Sequence, residues 1–316
     1  MNYDFEQPIL ELEERIAALE SFAREKEIDL SQEINHLKAR AEELKKKIYS
    51  QLSPWQKLLI ARHPARPNLR DYVSLLFTDF FELHGDRCAG DDPAVLGGIA
   101  RFRNRPVTVI GHLKGHDTRE NLACNFGMAH PEGYRKALRL MRQAEKFCRP
   151  VITFIDTPGA YPGIGAEERG QACAIARCLA GMLELKTPVI SVILGEGGSG
   201  GALAFAAADR ILMQEHAIFS VISPEAYASI LWQDPARGRE AAEKMKITAQ
   251  DLLAYRLIDE VIPEPLGGAH RNAGEAARLL GEALERHLNE VTGLPIRELL
   301  ARRQERFRRL SPRVFL

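Results

Sequence analysis

The stretch that most constrains this chain is 188–209, P-V-I-S-V-I-L-G-E-G-G-S-G-G-A-L-A-F-A-A-A-D. Residues 189–194 form a continuous β-branched and aliphatic run of strand length, which suits a strand covered on both faces. The strand is expected to end at glycine. Gly195, Gly197, Gly198, Gly200 and Gly201 place five residues without a Cβ in seven positions, so the backbone can turn through positive φ and a ligand can lie directly on peptide N–H groups. Residues 202–208 are small and helix-favouring. Strand, glycine turn and helix start together read as an anion or oxyanion site built from backbone amides.

Two enzyme motifs overlap here. Residues 195–200 satisfy G-x-G-x-x-G and residues 197–201 satisfy G-x-S-x-G, so a dinucleotide site and a hydrolase elbow with Ser199 as nucleophile both stand open. The first needs an acidic residue about 20 positions on, and Glu215 keeps it open. The second needs an acid and then a histidine downstream; His216, His270 and His287 satisfy the order. A phosphate-binding P-loop is excluded, because no lysine follows the glycines. A tight turn with close helix–strand packing is the plain structural alternative.

Composition narrows the class. The 316 residues are 45% hydrophobic, ample for a large core, and Lys plus Arg equals Asp plus Glu at 43 each, so no global field favours nucleic acid or an anionic membrane. No apolar run approaches the roughly 18 to 20 residues of a membrane span, and the first residues lack signal-peptide form; the expectation is a soluble, cytoplasmic protein. Cys88, Cys124, Cys148, Cys173 and Cys178 contain no C-x-x-C pair, which argues against a disulfide framework and a zinc ribbon, and no metal ligands are assigned.

Three segments are expected: a helical hairpin over 1–52, a core over 53–292 and an Arg-rich tail over 293–316. In the hairpin Leu12, Ile16 and Leu19 share one face, and Ile34, Leu37, Ala41, Leu44 and Ile48 step by three and four, the spacing of a coiled-coil seam. Asp29 to Gln32 has capping-box form. The stripe must dock on the same chain or on another subunit. Ser53 and Gln56 frame a further capped helix, and 69–83 reads as another. Strands are expected at 95–101 and 106–110 around an Arg103-Asn104 turn. Beyond them strands at 151–155, 189–194, 211–213 and 257–262 alternate with helices at 131–147, 166–185, 224–232 and from 248. Such alternation implies a largely parallel α/β sheet covered by helices. The tail carries seven arginines over 297–313 and reads as a solvated terminal helix.

A second cluster, D-T-P-G-A-Y-P-G-I-G at 156–165, follows the strand at 151–155. Ligands of α/β folds collect at the carboxyl ends of strands, so this loop and the glycine turn are expected to face one crevice. Asp156 invites a metal or general-base reading, with a residue bonding its own loop as the favoured alternative.

The segments D-F-E-Q-P-I at 4–9, N-F-G-M at 125–128, P-E-G-Y-R-K-A-L-R-L-M at 131–141, F-I-D-T-P-G-A-Y-P-G at 154–163, G-A-E-E-R-G-Q at 165–171, G-E-G-G-S-G-G-A-L-A at 195–204, V-I-S-P-E at 221–225 and I-P-E-P-L-G-G-A-H-R-N at 262–272 together resemble the carboxyltransferase alpha subunits of bacterial acetyl-CoA carboxylase. The resemblance implies a crotonase-type spiral of ββα units. It also implies an enzyme that moves a carboxyl group from N-carboxybiotin, on a biotin carboxyl carrier protein charged by biotin carboxylase, to acetyl-CoA, yielding malonyl-CoA for fatty acid synthesis. Both the released ureido group and the thioester enolate are oxyanions, which backbone N–H pairs in a desolvated turn stabilise.

By the same resemblance the amides of Gly200 and Gly201 hold the biotin ureido oxygen. Gly197, Gly198, Ser199, Gly159, Ala160, Tyr161 and Gly163 then line the biotin side. The thioester half lies on a separate beta subunit, which also carries the zinc ribbon, in an alpha2beta2 assembly with no covalently bound cofactor on this chain. The released biotin anion is a candidate base. Lys114 and Arg135, with Arg119 and Lys136, are candidates for coenzyme A phosphates, an ordinary solvated face being the alternative. A serine hydrolase and a non-catalytic scaffold subunit remain as rivals.

Overall fold

The computed structural model describes residues 3–310. Eight strands form one sheet: β1 (Thr78–Glu82), β2 (Val95–Phe102), β3 (Arg105–His112), β4 (Val151–Thr157), β5 (Val189–Gly198), β6 (Arg210–Gln214), β7 (Ile218–Ser220) and β8 (Glu260–Ile262). The order is β1-β2-β3-β4-β5-β6-β8, with β7 paired to β5. β1, β2 and β3 form an antiparallel meander; from β3 onward every pairing is parallel. The β2–β3 turn runs through Arg103 (φ 48°) and Asn104 (φ 63°). Two successive left-handed residues give the twist that a two-residue hairpin needs.

Alternate residues of β4 and β5 enter different cores. Val151, Ile155, Val189 and Ile193 pack on one side, beneath the helices Pro131–Lys146 and Gln171–Glu184. Ile152, Phe154, Ile190, Val192 and Leu194 pack on the other, against Leu69–Leu76 and Ala273–Thr292. Coverage on both faces is why apolar side chains fill both sides of these strands. The Thr153 and Ser191 hydroxyls lie 2.7 Å apart and within 2.8 and 2.6 Å of the Phe205 carbonyl, so one donates to that carbonyl and the other donates to it or to its neighbour, tying the segment after the glycine turn to the sheet.

The helix expected over 69–83 stops at Leu76, and Thr78–Glu82 becomes edge strand β1. The single helix expected over 166–185 is two, Ile164–Glu168 and Gln171–Glu184, divided at Gly170 with φ 82°. β5 does not end at the first glycine. It continues to Gly198, and Ile190–Ile193 pair with β6 whereas Glu196–Gly198 pair with β7. The helix that follows is the five-residue Ser199–Leu203. β7 and the helix Gly238–Met245 had no sequence signal that set them apart from loop.

The hairpin helices are Gln7–Lys26 and Ser31–Tyr49, and they bury Ile16 and Ala41. Asp29 accepts from the Ser31 backbone and hydroxyl, but Gln32 does not close a capping box. At the base Ile9, Tyr49 and Ile60 form a buried cluster with Phe5, Leu44, Ile48 and Leu52, so the hairpin docks on its own chain. Tyr49 donates to Glu6, whose other oxygen lies 3.5 Å from Arg271.

The Arg-rich helix Ile296–Leu310 is not a solvated appendage. Arg303 is fully buried: it grips Asp209 at 2.8 and 2.6 Å and donates to the carbonyls of Met182, Leu185 and Thr187. Arg306 holds Asp259 at 2.6 Å and the Leu257 carbonyl at 2.9 Å. Arg313 lies outside the described residues.

Candidate active site

The two glycine clusters meet at the carboxyl ends of β4 and β5. A Cβ on Gly198 would lie 2.1 Å from the Pro158 carbonyl oxygen, and one on Gly201 would lie 2.7 Å from both the Gly159 carbonyl carbon and the Ala160 nitrogen. Backbone rests on backbone, which is why side chains are missing there. Gly200 is different. Its nearest neighbour in the Cβ direction is Ile175 Cγ2 at 3.8 Å, so the space beside it is open, and Gly200 and Gly201 lie in the first turn of Ser199–Leu203, where N–H groups have no intrahelical acceptor. Ser199 is exposed with φ 52°, a left-handed conformation costing a non-glycine residue about 1 kcal/mol, and such strain clusters at functional sites.

The facing loop is held from several sides. Thr157 Oγ1 bridges the Gly159 carbonyl (2.7 Å) and N–H (3.1 Å), so the loop's own bond comes from Thr157, not Asp156. Gly159 has φ 155° and nothing within 4 Å of its Cβ direction. Tyr161 lies against His130, ring centroids 4.1 Å apart and tilted by 33°, and a Cβ on Gly163 would strike the Tyr161 ring at 2.3 Å. Gln171 donates to the Tyr161 and Ala129 carbonyls, while Ala160 is half-buried.

Beneath the turn runs a chain of charges. Asp156 Oδ1 accepts the Glu196 N–H at 2.9 Å. Lys114 Nζ lies 2.8 Å from both Asp156 and Glu196, and Arg62 lies 2.6 Å from both Glu196 and Glu225. Burial alone raises the Glu196 carboxyl, but Lys114 and Arg62 outweigh it and hold it at about 2. Burial likewise opposes the Lys114 ammonium, and Asp156 and Glu196 more than offset it, leaving it above the usual lysine range. His112, at the end of β3, is fully buried beside the Gly201 backbone, its ring 4.6 Å from Phe205. Burial, then the Lys114 charge, pushes it down to about 3, so it is neutral. The Tyr134 hydroxyl, 3.0 Å from the Gly201 Cβ direction, has no hydrogen-bond partner.

Several expectations are corrected. Lys114 and Arg135 are not open to phosphates: Lys114 is committed as above, and Arg135 holds Asp86 and Glu132 at 2.7 Å. Lys136 is buried on Asp91 and the Asp92 carbonyl, whereas Arg119 is exposed. No hydrolase triad assembles among the described residues. His270 stacks on His63 at 4.0 Å, His287 meets Glu260 at 2.8 Å, and the His216 N–H donates to Glu264. Glu215 accepts from the Glu264 backbone, and the turn opens a five-residue helix instead of the long helix of a dinucleotide fold. Arg62, Glu196, Glu225, His112 and Tyr134 were not singled out from sequence. A carboxylate inside a glycine run, Glu196, was the available signal.

Residues 2–311 match the family described as acetyl co-enzyme A carboxylase carboxyltransferase-like. The chain belongs to this family. It is 58% identical over 306 residues to the acetyl-coenzyme A carboxylase carboxyl transferase subunit alpha of Carboxydothermus hydrogenoformans, covering 97% of this chain and 95% of the relative. It is 59% identical over 308 residues to the same subunit of Heliobacterium modesticaldum, covering 98% and 92%. Among solved structures, transcarboxylase 12S with methylmalonyl-coenzyme A and methylmalonic acid bound superposes with TM-score 0.58 at 21% identity, over 71% of this chain and 42% of that one. A Pseudomonas malonate decarboxylase hetero-tetramer in complex with coenzyme A gives 0.57 at 18%, over 70% and 91%. The fold is therefore the crotonase-type fold of carboxyltransferases, which alternation alone could not separate from a doubly wound sheet.

Proposed function

We infer that this chain is the biotin-side half of a carboxyltransferase site that moves a carboxyl group from N-carboxybiotin to acetyl-CoA, giving malonyl-CoA. The observation that carries the reading is the Gly197–Gly201 turn: packed backbone-to-backbone on Pro158–Ala160, yet open beside Gly200. In this reaction the N–C bond of carboxybiotin breaks, CO2 departs and the electron pair settles on the ureido group. The Gly200 and Gly201 amides are placed to hold that oxygen, a role in which one donor is worth about 3 kcal/mol. The ureido anion then takes a proton from the thioester methyl, and the resulting enolate carbon attacks CO2. Ser199 sets the turn geometry and no histidine serves it as a base.

Apolar residues exposed around the turn support a partner subunit carrying the thioester half. Ile164, Leu203, Val221, Ile230 and Leu231 are all exposed on elements that follow β4, β5 and β7. We assign this face to a beta subunit, within an alpha2beta2 assembly that also receives the biotin carboxyl carrier protein and, through it, biotin carboxylase. With Lys114, Arg135 and Lys136 engaged and Arg119 the one exposed member of the four, we assign the coenzyme A phosphates mainly to the partner, together with the zinc ribbon. Among the described residues no group of three or more His, Cys, Asp or Glu is arranged to hold a metal ion, and no helix is long and apolar enough to cross a membrane. A cytoplasmic site of action fits this reading.

The test compares Gly200→Val with Ser199→Ala, each purified with the beta partner. A Cβ at Gly200 meets only an ordinary contact with Ile175 Cγ2 at 3.8 Å, and the side chain fills the ligand space, so transfer should fall by roughly 10²-fold. Ser199→Ala removes one hydroxyl and leaves the amides, so the loss should stay under about tenfold. The opposite pattern returns the nucleophile reading.

A further inference from the structure

Three of the sequence motifs converge on one lysine that the transfer chemistry does not use, and a fourth joins through Arg62. Lys114 Nζ sits between Asp156 of F-I-D-T and Glu196 of G-E-G-G, 2.8 Å from each. Gly127 of N-F-G-M, held at φ 77°, presses on its stem: a Cβ there would lie 3.1 Å from Lys114 Cγ and 2.8 Å from the Asp156 carbonyl oxygen. Glu225 of V-I-S-P-E joins through Arg62. The Lys114 carbonyl also accepts from Asn68 at 2.9 Å. Gly195 allows the whole contact, since a Cβ there would be 2.7 Å from Asp156 Oδ1.

The charges are unequal. Asp156, Glu196 and Glu225 face Lys114 and Arg62, three carboxylates against two cations, with Arg66 and neutral His112 nearby. Removing Lys114 leaves Arg62 shared by Glu196 and Glu225, and strands Asp156 directly under the Glu196 amide. Two uncompensated negative charges then sit behind a turn whose amides must receive an anion. A buried charge left without its partner is the costly outcome, far more than removing both partners together.

We propose that Lys114 is a positioning residue for the glycine turn, bridging Asp156 and Glu196 so that the ends of β4 and β5 stay joined past the register shift between Ile155 and Thr157 and the negative charge behind the Gly200 and Gly201 amides is reduced. This rests on the oxyanion reading of those amides. Lys114 touches no reacting atom; it acts through Asp156 and Glu196.

The experiment uses the complex with the beta partner and reads reverse transfer from malonyl-CoA to biocytin. Lys114→Met should lower kcat by at least about tenfold while KM for malonyl-CoA shifts less than about threefold, because the loss falls on stabilising the developing anion. Adding Asp156→Asn, which removes the stranded charge but keeps an oxygen for the Glu196 N–H, should recover at least about threefold of that kcat. If Lys114→Met does not fold, the double variant carries the test alone: it should fold and transfer within about tenfold of the native complex. A folded Lys114→Met with native kcat overturns the proposal. So does a folded double variant with no recovery or no activity, since then the ammonium itself is needed. Gly200→Val separates the two levels. Normal transfer by that variant refutes the oxyanion reading, whereas an impaired Gly200→Val beside an unaffected Lys114→Met refutes the positioning role only.

Discussion

Arg303→Met tests how the Arg-rich helix is fastened. The guanidinium is 0% exposed and Asp209 is 3% exposed. Their two hydrogen bonds, at 2.8 and 2.6 Å, are joined by three more to the Met182, Leu185 and Thr187 carbonyls at 2.7 to 2.9 Å. Methionine fills much of the volume but satisfies none of these groups. Asp209 would keep only the Val189 N–H at 2.8 Å, and three carbonyls would each lose a donor, Met182 keeping the Leu185 N–H at 3.4 Å. Breaking a buried pair from one side costs about 3 to 5 kcal/mol, and the effect should appear in urea denaturation as a lower midpoint with an unchanged slope. Arg302→Ala is the control. That arginine is 57% exposed and paired with Glu298 one turn away, so its loss should cost under about 0.5 kcal/mol. If Arg303→Met also costs less than about 1 kcal/mol, the helix is not held as described and the fastening argument fails.

Acid stability gives a second test. Burial raises the Glu264 carboxyl but Arg66 outweighs it, holding it near 2 against a reference of 4.5. A carboxylate depressed on folding contributes stability that is complete above the unfolded value and is lost as pH falls through the folded one. The unfolding free energy should therefore drop between about pH 4.5 and 2, and Glu264→Gln, destabilised at neutral pH, should show a shallower drop; an identical slope in denaturation titrations would contradict the pairing. The glycine contrast gives a third. Gly201→Ala forces a Cβ against the Gly159 and Ala160 backbone at 2.7 Å, so it should lose about 1 to 3 kcal/mol by thermal unfolding, whereas Gly200→Ala, with nothing closer than 3.8 Å, should stay within about 1 kcal/mol of native. Equal losses would mean that the two glycines are not distinguished by packing.

What the sequence revealed was local. The Arg103-Asn104 hairpin, the Ser53 capping box and the apolar β4 and β5 runs each carry their signal within a few residues, and each is present. The meeting of the two glycine clusters was legible because both follow strands of one parallel sheet. Pairing partners far along the chain were not. T-D-F-F-E becomes a strand only because β2 offers it an edge, and β5 outlasts its first glycine because β7 comes up beside Glu196–Gly198. Charged side chains were misread for the same reason. Lys114, Arg135 and Arg303 look like solvent-facing cations in sequence, and only the fold brings Asp156, Asp86 and Asp209 to them. The motif I-P-E-P-L-G-G-A-H-R-N signalled family without signalling role. Its Glu264 binds Arg66, which caps the Leu194 carbonyl at the end of the apolar run before the glycine turn.

The central claim is that this chain completes a shared carboxyltransferase site. Carboxyl transfer from malonyl-CoA to biocytin, followed with this chain alone, with a zinc-ribbon beta subunit alone and with the two mixed, tests it most directly. The account requires activity only in the mixture, and loss of that activity when Gly200→Val replaces the native chain. Equal transfer by the beta subunit alone, or by the mixture containing Gly200→Val, would contradict it.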